Sequence, residues 1–258
     1  MEINQAFTIL QTAGGIRAAR IITENIKHPS KIRVLWMAHL LRRGVPVAKI
    51  IHQKWFYGIK FYTNRHTLDP RPDTETLVSA VLNDAHNNQS PKILDLGTGT
   101  GCIICALVKN LGDASGVAVD KSRRALRVAR KNIRDLQLTT KIKTVRASFD
   151  FPYKFNQKFD IIVSNPPYIA PNDTRVDIGA THDPAMALYA PDNGLAAYKS
   201  IAQNAIQWLA DGGKIYLEIG IDQGPDIKDI FIRHGWNLVR SARDLMDIER
   251  VLVFERAH

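Results

Sequence analysis

A short motif of polar and rigid residues ends an apolar run in the middle of the chain. In DIIVSNPPYI, residues 160–169, the apolar residues stop at Asn165, and the next three residues are Pro166, Pro167 and Tyr168. The Asn side chain offers an acceptor oxygen, and prolines hold the neighbouring backbone carbonyls in set directions. Two acceptors beside a flat aromatic ring suit a planar NH2 group, on an amide or on a nucleobase. The motif therefore predicts a substrate site of these four residues, with Asn165 as its catalytic residue.

A glycine-rich turn follows an earlier apolar run. The segment LDLGTGTG, residues 94–101, carries a glycine at every second position from Gly97 onward. Glycine allows a tight turn and lets a ligand approach the backbone closely. The next apolar run ends in Asp120, about 20 residues further on, a spacing at which a carboxylate can accept hydrogen bonds from ribose hydroxyls. These segments predict a nucleoside site made by Gly97, Thr98, Gly99, Thr100, Gly101 and Asp120.

Both motifs need a scaffold, and from about residue 74 the chain alternates between apolar runs and helical patterns. Runs typical of buried strands cover 92–96, 116–120, 141–147, 159–165 and 214–220, and two more strands are predicted at 236–244 and 250–256. This alternation predicts an α/β fold with a doubly wound, mostly parallel sheet and an antiparallel hairpin at its C-terminal edge. Ligands of such sheets bind beyond the carboxyl ends of the strands, where the glycine turn and Asn165 would meet.

Two shorter regions precede the sheet. Residues 1–45 are predicted to form a small helical module for substrate recognition, with Ser30 as an N-cap and a break at Thr12–Gly15. Residues 46–70 are rich in β-branched and aromatic residues, which predicts a β-hairpin or an extended linker. Residues 71–258 are then expected to form the main domain.

Composition limits the class of protein. The chain has 258 residues, of which 45% are hydrophobic and 23% charged, as in ordinary soluble domains. No apolar run reaches the roughly 20 residues that span a bilayer, and the N-terminus lacks a basic signal region, so a cytoplasmic protein is expected. Cys102 and Cys105 lie in an apolar helical stretch and are predicted to be core residues, and no metal site is predicted.

The net charge of +10 suits an acidic partner such as a nucleic acid. Much of the charge lies in KSRRALRVARKNIR, residues 121–134, whose apolar residues recur with helical spacing. A solvated helix face is favoured over a binding patch, and contact of this basic surface with an acidic partner stays open.

The glycine turn, with an acidic residue two positions before its first glycine, resembles that of class I S-adenosylmethionine methyltransferases. It differs from the G-x-G-x-x-G of dinucleotide enzymes, which makes NAD the less favoured cofactor. From about Gly44 onward the chain resembles the release factor glutamine methyltransferases, the HemK/PrmC family. The resemblance is carried by FYGIKF (56–61), PRPDTETLV (70–78), LDLGTGTG (94–101), NPPYI (165–169), DPAMALYAPDNGL (183–195) and LEIGIDQG (217–224).

This resemblance implies a Rossmann-like fold and an enzyme that methylates the side-chain nitrogen of the glutamine in the Gly-Gly-Gln motif of peptide chain release factors. It implies that residues 97–101 cradle S-adenosylmethionine and that Asp120 holds its ribose. Asn165, beside the cofactor, and Pro166 would hold the glutamine amide. Residues 71–75 would help to close the site, and the long loop of residues 166–192 is of a length that a substrate lid would need.

Several features depart from the family pattern. Lys49 stands where the start of the hairpin commonly has an aromatic residue, and Asp69 stands where an aliphatic residue commonly precedes Pro-Arg-Pro. The N-terminal module is shorter than is usual. Near the adenine the family has an acidic residue followed by an aromatic, and here RASFDFP offers Phe149 or Phe151, of which Phe149 is preferred.

The main alternative function is an amino-methyltransferase that acts on a nucleobase of RNA or DNA, since Asn-Pro-Pro-Tyr also occurs in such enzymes. Its target base would have to be flipped into the pocket. RPDTE, residues 71–75, favours a release factor, and it does so by resemblance alone. A nucleotide-binding scaffold without activity would leave the Asn165 motif without a task.

Overall fold

The computed structural model describes residues 1–85, 90–151, 153–173 and 178–257. Three helices form its N-terminal part: α1 (Ile3–Glu24), α2 (Lys31–Arg42) and α3 (Val47–Ile51). Gly15 interrupts the regular geometry of α1 with a φ of 82°, at the predicted break. The Ser30 hydroxyl accepts a hydrogen bond from the Arg33 N–H at 3.3 Å, which confirms it as the N-cap of α2.

The helix α3 corrects one expectation, because residues 47–51 were predicted to be extended. Its β-branched residues favour strands, but Ile50 is buried against Leu10, Ile22 and Met37 of the first two helices. Packing thus outweighs local propensity here. The division of the chain at residues 45 and 70 stays a prediction.

The predicted β-hairpin is confirmed. Its strands, β1 (Gln53–Phe56) and β2 (Ile59–Tyr62), pair antiparallel through Tyr57 and Gly58, which both have positive φ. Such a two-residue turn matches the twist of the strands. The ring of Phe61 is fully buried in the core of the sheet, so the hairpin is fastened to the main domain.

Seven further strands form one sheet. They are β3 (Lys92–Leu96), β4 (Ser115–Val119), β5 (Ile142–Val145), β6 (Phe159–Ser164), β7 (Leu209–Glu218), β8 (Trp236–Arg243) and β9 (Glu249–Arg256). Their order is β5-β4-β3-β6-β7-β9-β8. Strands β3 to β7 run parallel to one another, whereas β9 pairs antiparallel with both β7 and β8. The predicted α/β sheet with an antiparallel C-terminal edge is confirmed.

Helices cover both faces of this sheet, as parallel sheets require. They are α4 (Thr74–Asp84), α5 (Cys102–Asn110), α6 (Arg123–Asp135), α7 (Ala185–Leu188), α8 (Ala196–Ala205) and α9 (Gly224–Arg233). Leu77 and Ile104 belong to the core on one face, and Ile201 and Phe231 to the core on the other.

The strand order reverses between β3 and β6, which are neighbours although β4 and β5 separate them along the chain. Leu96 pairs with Ser164 at the carboxyl ends of these strands. Gly97 and Asn165 therefore leave adjacent strands at the same edge of the sheet. Open α/β sheets bind ligands at such a reversal.

The two cysteines are buried in α5, and burial raises the pKa of the Cys102 thiol to about 12, so both are confirmed as core residues. No group of three or more His, Cys, Asp or Glu is placed to hold a metal ion within the described ranges. Nor does the part of the chain seen in the structure contain a helix long and apolar enough to cross a membrane.

Candidate active site

A cleft of about 630 Å³, which includes space open to solvent, lies at the carboxyl ends of β3, β4 and β5. Five residues predicted for the site line it, namely Gly97, Gly99, Asp120, Phe149 and Pro167. The other walls come from the segment after β2, the start of α6 and the region of α7. The remaining predicted residues are not part of the lining: Thr98, Thr100, Gly101, Asn165, Pro166 and Tyr168.

The glycine turn has the backbone conformation that its glycines predict. Gly97, Gly99 and Gly101 have φ values of 75°, 55° and 80°, which other residues rarely adopt. A Cβ on Gly99 would contact nothing closer than the Gly97 carbonyl at 3.9 Å, so this side of the turn is open space. The backbone here therefore leaves room for a ligand.

The threonines of the turn face the protein interior. Thr98 and Thr100 are both buried, and the Thr98 hydroxyl donates a hydrogen bond to Asp95 Oδ2 at 2.6 Å. The Thr100 carbonyl accepts one from Asn132 Nδ2 at 2.8 Å, which joins the turn to α6. The Thr98 side chain and the Thr100 backbone thus hold the turn in place, although the sequence grouped both residues with the ligand-contacting ones.

Asp120 ends β4 and is fixed by two backbone donors. Its Oδ2 accepts a hydrogen bond from the Gly99 N–H at 3.0 Å, and its Oδ1 accepts one from the Ser122 N–H at 2.8 Å. Burial raises its pKa, and these two hydrogen bonds oppose the shift. Each carboxylate oxygen keeps a further lone pair for a donor in the cleft.

Asp95, the acidic residue two positions before Gly97, is fully buried. Burial raises the pKa of its carboxyl to about 7. Hydrogen bonds from the Thr98 hydroxyl and the Ile104 backbone oppose that shift. Asp95 does not line the cleft, so its carboxyl supports the glycine turn from within the protein.

The two candidates for the adenine contact, Phe149 and Phe151, differ in how much of each residue is exposed to solvent. Phe149 is 8% exposed and lines the cleft, and a Cβ on Gly97 would lie 3.8 Å from its ring. Phe151 is 72% exposed and is absent from the lining. Asn204 Nδ2 fixes the backbone of Phe149 by donating to its carbonyl at 2.9 Å. The geometry favours Phe149.

Asn165 follows β6 and is oriented from behind by α4. Its Nδ2 donates a hydrogen bond to the Thr74 hydroxyl at 3.1 Å. Because the NH2 group is engaged there, Oδ1 is the atom left to accept a hydrogen bond from a ligand. Thr74 belongs to RPDTE, so this segment and the NPPY segment are in direct contact.

A second buried acid lies beside this pair. Glu218, at the end of β7, is 2% exposed, and burial raises its pKa to about 7. Side-chain hydrogen bonds with Thr74 and Asn165 oppose that shift by favouring the carboxylate. When Glu218 is ionised, it disfavours the flipped carboxamide, in which Asn165 Oδ1 would face the carboxylate.

The Tyr168 carbonyl is held from two sides. Gln223 Nε2 donates a hydrogen bond to it at 3.0 Å. Gly194 passes so close that a Cβ there would lie 2.0 Å from this oxygen, which only glycine permits. The prolines before Tyr168 and these contacts together fix the course of the backbone after Asn165.

The RPDTE segment joins several parts of the molecule. Glu75 Oε1 accepts a hydrogen bond from the Tyr57 N–H in the hairpin turn at 2.8 Å. Arg71 pairs with Asp183, ahead of α7, at 2.8 Å, and Asp73 pairs with Arg250 of β9 at 3.1 Å.

The loop of residues 166–192 was expected to be a substrate lid. Its stretch 174–177 lies outside the described residues. The remainder includes α7, whose Met186 and Ala187 line the cleft.

Sequence reasoning assigned no role to Glu218 or Gln223, and it included Thr74 only as part of the segment 71–75 that would help to close the site. A charged residue at the end of the apolar run KIYLEIG was a usable signal, since Glu is rarely buried unless it has a partner. The hydroxyl of Thr74 gave no such signal, because Thr at the start of a helix is ordinary.

Comparisons with known proteins agree with this architecture. Residues 68–182 match a family described as methyltransferase small domain. The ribosomal protein L11 methylase of Lactobacillus delbrueckii subsp. bulgaricus has the same fold, with a TM-score of 0.55 and 21% sequence identity, over 75% of this chain and 82% of that one.

Two curated relatives extend the match beyond the sheet. A bifunctional methyltransferase of Rickettsia felis is 37% identical over 239 residues, 81% of this chain but only 45% of that protein. The release factor glutamine methyltransferase of Agrobacterium fabrum is 40% identical over 235 residues, which are 87% of this chain and 79% of the relative. With this identity over most of both sequences, and with the sheet order and the Asn165 corner described above, the chain belongs to the release factor glutamine methyltransferase family.

Proposed function

We propose that this chain transfers a methyl group from S-adenosylmethionine to the side-chain amide nitrogen of the glutamine in the Gly-Gly-Gln motif of a peptide chain release factor. The observation that carries the proposal is the orientation of Asn165. Its NH2 group is tied to Thr74, so its oxygen is presented as an acceptor beside a cleft that suits a nucleoside.

The residues around the cleft fit S-adenosylmethionine. This cofactor supplies a methyl group on a sulfonium, already activated for transfer. Gly97 and Gly99 leave room along the turn, and the free lone pairs of Asp120 suit ribose hydroxyls. Phe149 offers an aromatic face for the adenine.

The Asn165 corner fits a primary amide. Asn165 Oδ1 and the Pro166 carbonyl would each accept one hydrogen of the glutamine NH2, with Pro167 and the half-buried Tyr168 beside it. Two acceptors fix the plane of the amide, which directs the face of its nitrogen at the methyl group. Amide nitrogen is a weak nucleophile, so alignment contributes most of the catalysis.

The step needs no metal and no strong base from the protein. The glutamine nitrogen forms the new N–C bond while the sulfur–methyl bond breaks, and the bonding electrons stay on sulfur. The nitrogen then holds a surplus proton and is acidic, so it can release that proton to water.

A labelling experiment tests the proposal. The protein is incubated with methyl-labelled S-adenosylmethionine and a purified release factor, the same factor with its motif glutamine changed to alanine, total RNA, or DNA. Label is expected on the unaltered release factor alone. Asn165→Ala is expected to abolish labelling and to leave cofactor affinity nearly intact, and Asn237→Ala, an exposed asparagine on β8, serves as its control.

Label on nucleic acid alone would instead support the nucleobase alternative. One observation favours that alternative: Arg65, Arg124 and Arg127 are exposed, and His66 lines the cleft. Burial lowers the pKa of His66, and the charges of these arginines lower it further. We propose contact of this basic surface with an acidic region of the release factor. That contact predicts a Michaelis constant for the release factor that rises with salt.

A further inference from the structure

The two unusual residues of the sequence, Lys49 and Asp69, meet in the structure. The Lys49 ammonium lies 3.0 Å from Asp69 Oδ1, and both side chains are nearly fully buried. The same ammonium lies 2.6 Å from Asp183 Oδ1 and donates to the backbone carbonyls of Asn64 at 2.9 Å and Thr67 at 2.5 Å. A lysine in the N-terminal helices thus has four oxygen partners outside those helices.

The cluster is balanced in charge. Asp183 Oδ2 accepts a second ion pair from Arg71 at 2.8 Å, and the Thr63 hydroxyl donates to Asp69 Oδ1 at 2.5 Å. Two cations, Lys49 and Arg71, therefore face two carboxylates. Buried ion pairs are stable only when partners satisfy them in this way.

The partners of Lys49 belong to two separate segments that both line the cleft. Thr67 lines it directly, together with its neighbours His66 and Leu68. Asp183 is followed by Pro184, which lines the cleft as do two residues of α7. The ammonium therefore joins the segment after β2 to the segment before α7, and these two segments form part of the cleft wall.

We propose that Lys49 is a positioning residue for S-adenosylmethionine, which fastens these two segments in the shape that binds the cofactor. This inference rests on the proposed function. An aromatic residue at position 49 and an aliphatic residue at position 69 would hold the same segments together by apolar contact. In this chain the Lys49–Asp69 ion pair would take the place of that contact. Helix α3 thereby becomes part of the cofactor site although it does not line the cleft.

Cofactor dissociation constants, measured by calorimetry, test this role. Lys49→Met is expected to raise the constant at least tenfold, because Asp69 and Asp183 lose their shared cation. Asp69→Asn, which leaves the Lys49–Asp183 pair, is expected to raise it about threefold. The double variant Lys49→Phe with Asp69→Val removes both charges together and is expected to bind within threefold of the unaltered protein.

Arg240→Met is the matched control. It removes a partly buried ion pair with Asp84, at 2.8 Å, at the C-terminal end of α4, and neither residue lines the cleft. This variant is expected to lower the melting temperature while the cofactor dissociation constant stays unchanged. In turnover assays Lys49→Met is expected to raise the Michaelis constant for the cofactor, with kcat at saturating cofactor within twofold of the unaltered protein.

Unchanged cofactor binding in both Lys49→Met and Asp69→Asn would overturn the inference, as would equal weakening in Arg240→Met. If Lys49→Met does not fold, the cofactor dissociation constants of Asp69→Asn and of the double variant test the inference instead. Weak binding by the double variant would show that the ion pair has no apolar substitute, which would also overturn the proposed equivalence. If the unaltered protein itself fails to bind S-adenosylmethionine, the proposed function falls together with this inference.

Discussion

Asn165 and Thr74 are 91 positions apart in the chain, yet the carboxamide of one donates a hydrogen bond to the hydroxyl of the other at 3.1 Å. Thr74 begins α4, and Asn165 follows the end of β6. The contact explains how RPDTE can influence a site to which it contributes no cleft-lining side chain. Its part is to orient the group that would hold the substrate.

Thr74→Val is expected to test that orientation. Valine keeps the shape of threonine but cannot accept the Asn165 hydrogen bond, so the carboxamide is then held only by its hydrogen bond with Glu218. We expect kcat to fall on the order of 10- to 100-fold, as small misplacements of catalytic groups do, while cofactor affinity stays within twofold. Thr74→Ser, which keeps the hydroxyl, is the control and should remain close to the unaltered enzyme. Equal activity of the valine and serine variants would contradict this role.

Asp120→Ala is expected to weaken cofactor binding by about 1–3 kcal/mol, the usual effect of losing a charged hydrogen-bonding group. The variant also leaves the Gly99 N–H without its acceptor, which loosens the turn. Calorimetric titration with S-adenosylmethionine measures the loss. Asp113→Ala, at an exposed aspartate before β4, should bind normally, and equal affinities for the two variants would remove Asp120 from the site.

Gly194→Ala is expected to displace Tyr168. The added Cβ would lie 2.0 Å from the Tyr168 carbonyl, so the backbone after Asn165 must move. Gly112→Ala is a matched control, because Gly112 also has positive φ but has open space around its Cβ position. We expect the control to lose about 1 kcal/mol of stability from backbone strain and to keep its activity. Loss of activity in both variants, or in neither, would argue against a special role for the Tyr168 contact.

Glu218→Gln is expected to change how stability depends on pH. The folded protein raises the pKa of Glu218 from 4.5 to about 7, so between these values it binds more protons than the unfolded chain. The contribution of this group is complete below about pH 4.5 and is lost as the pH rises through about 7. Relative to the unaltered protein, the variant should therefore gain on the order of 2 kcal/mol between pH 5 and pH 8.

Urea denaturation at the two pH values measures this difference. Asp95 has a pKa raised to about 7 as well, but it is present in both proteins, so its contribution cancels. Asp113→Asn should follow the unaltered protein at both values. A constant offset between Glu218→Gln and the unaltered protein would show that Glu218 does not titrate in this range.

The main sheet could be predicted because each strand is a short apolar run bounded by helical patterns. Two of those runs end at Asp120 and Asn165, which lie at the carboxyl ends of parallel strands. The edge of the sheet at which ligands would bind could therefore be predicted as well. Residues 47–51 were predicted wrongly because their β-branched composition favours a strand, whereas burial of Ile50 among helices decides their structure. Short segments are the ones in which packing most readily overrides propensity.

Contacts between distant segments could not be predicted from residue types. Lys49 and Asp69 each read as an isolated departure from a family pattern, and neither gave a sign of the other. Glu218 was visible as an acid in an apolar strand, but its neighbours Thr74 and Asn165 come from other parts of the chain. Such relationships depend on how α3, α4 and the strands pack.

The buried ion pair between Lys49 and Asp69 restricts which substitutions positions 49 and 69 can accept during evolution. Replacement of Lys49 alone leaves the buried Asp69 carboxylate without a cation, at a loss of about 3–5 kcal/mol, which is a large share of the stability of an ordinary domain. Replacement of Asp69 alone costs less, because Lys49 keeps its ion pair with Asp183. The sequence can therefore pass from the ionic to the apolar form of this contact more easily when Asp69 changes first. Positions 49 and 69 are therefore expected to covary among relatives, with lysine accompanied by aspartate and aromatic residues by aliphatic ones.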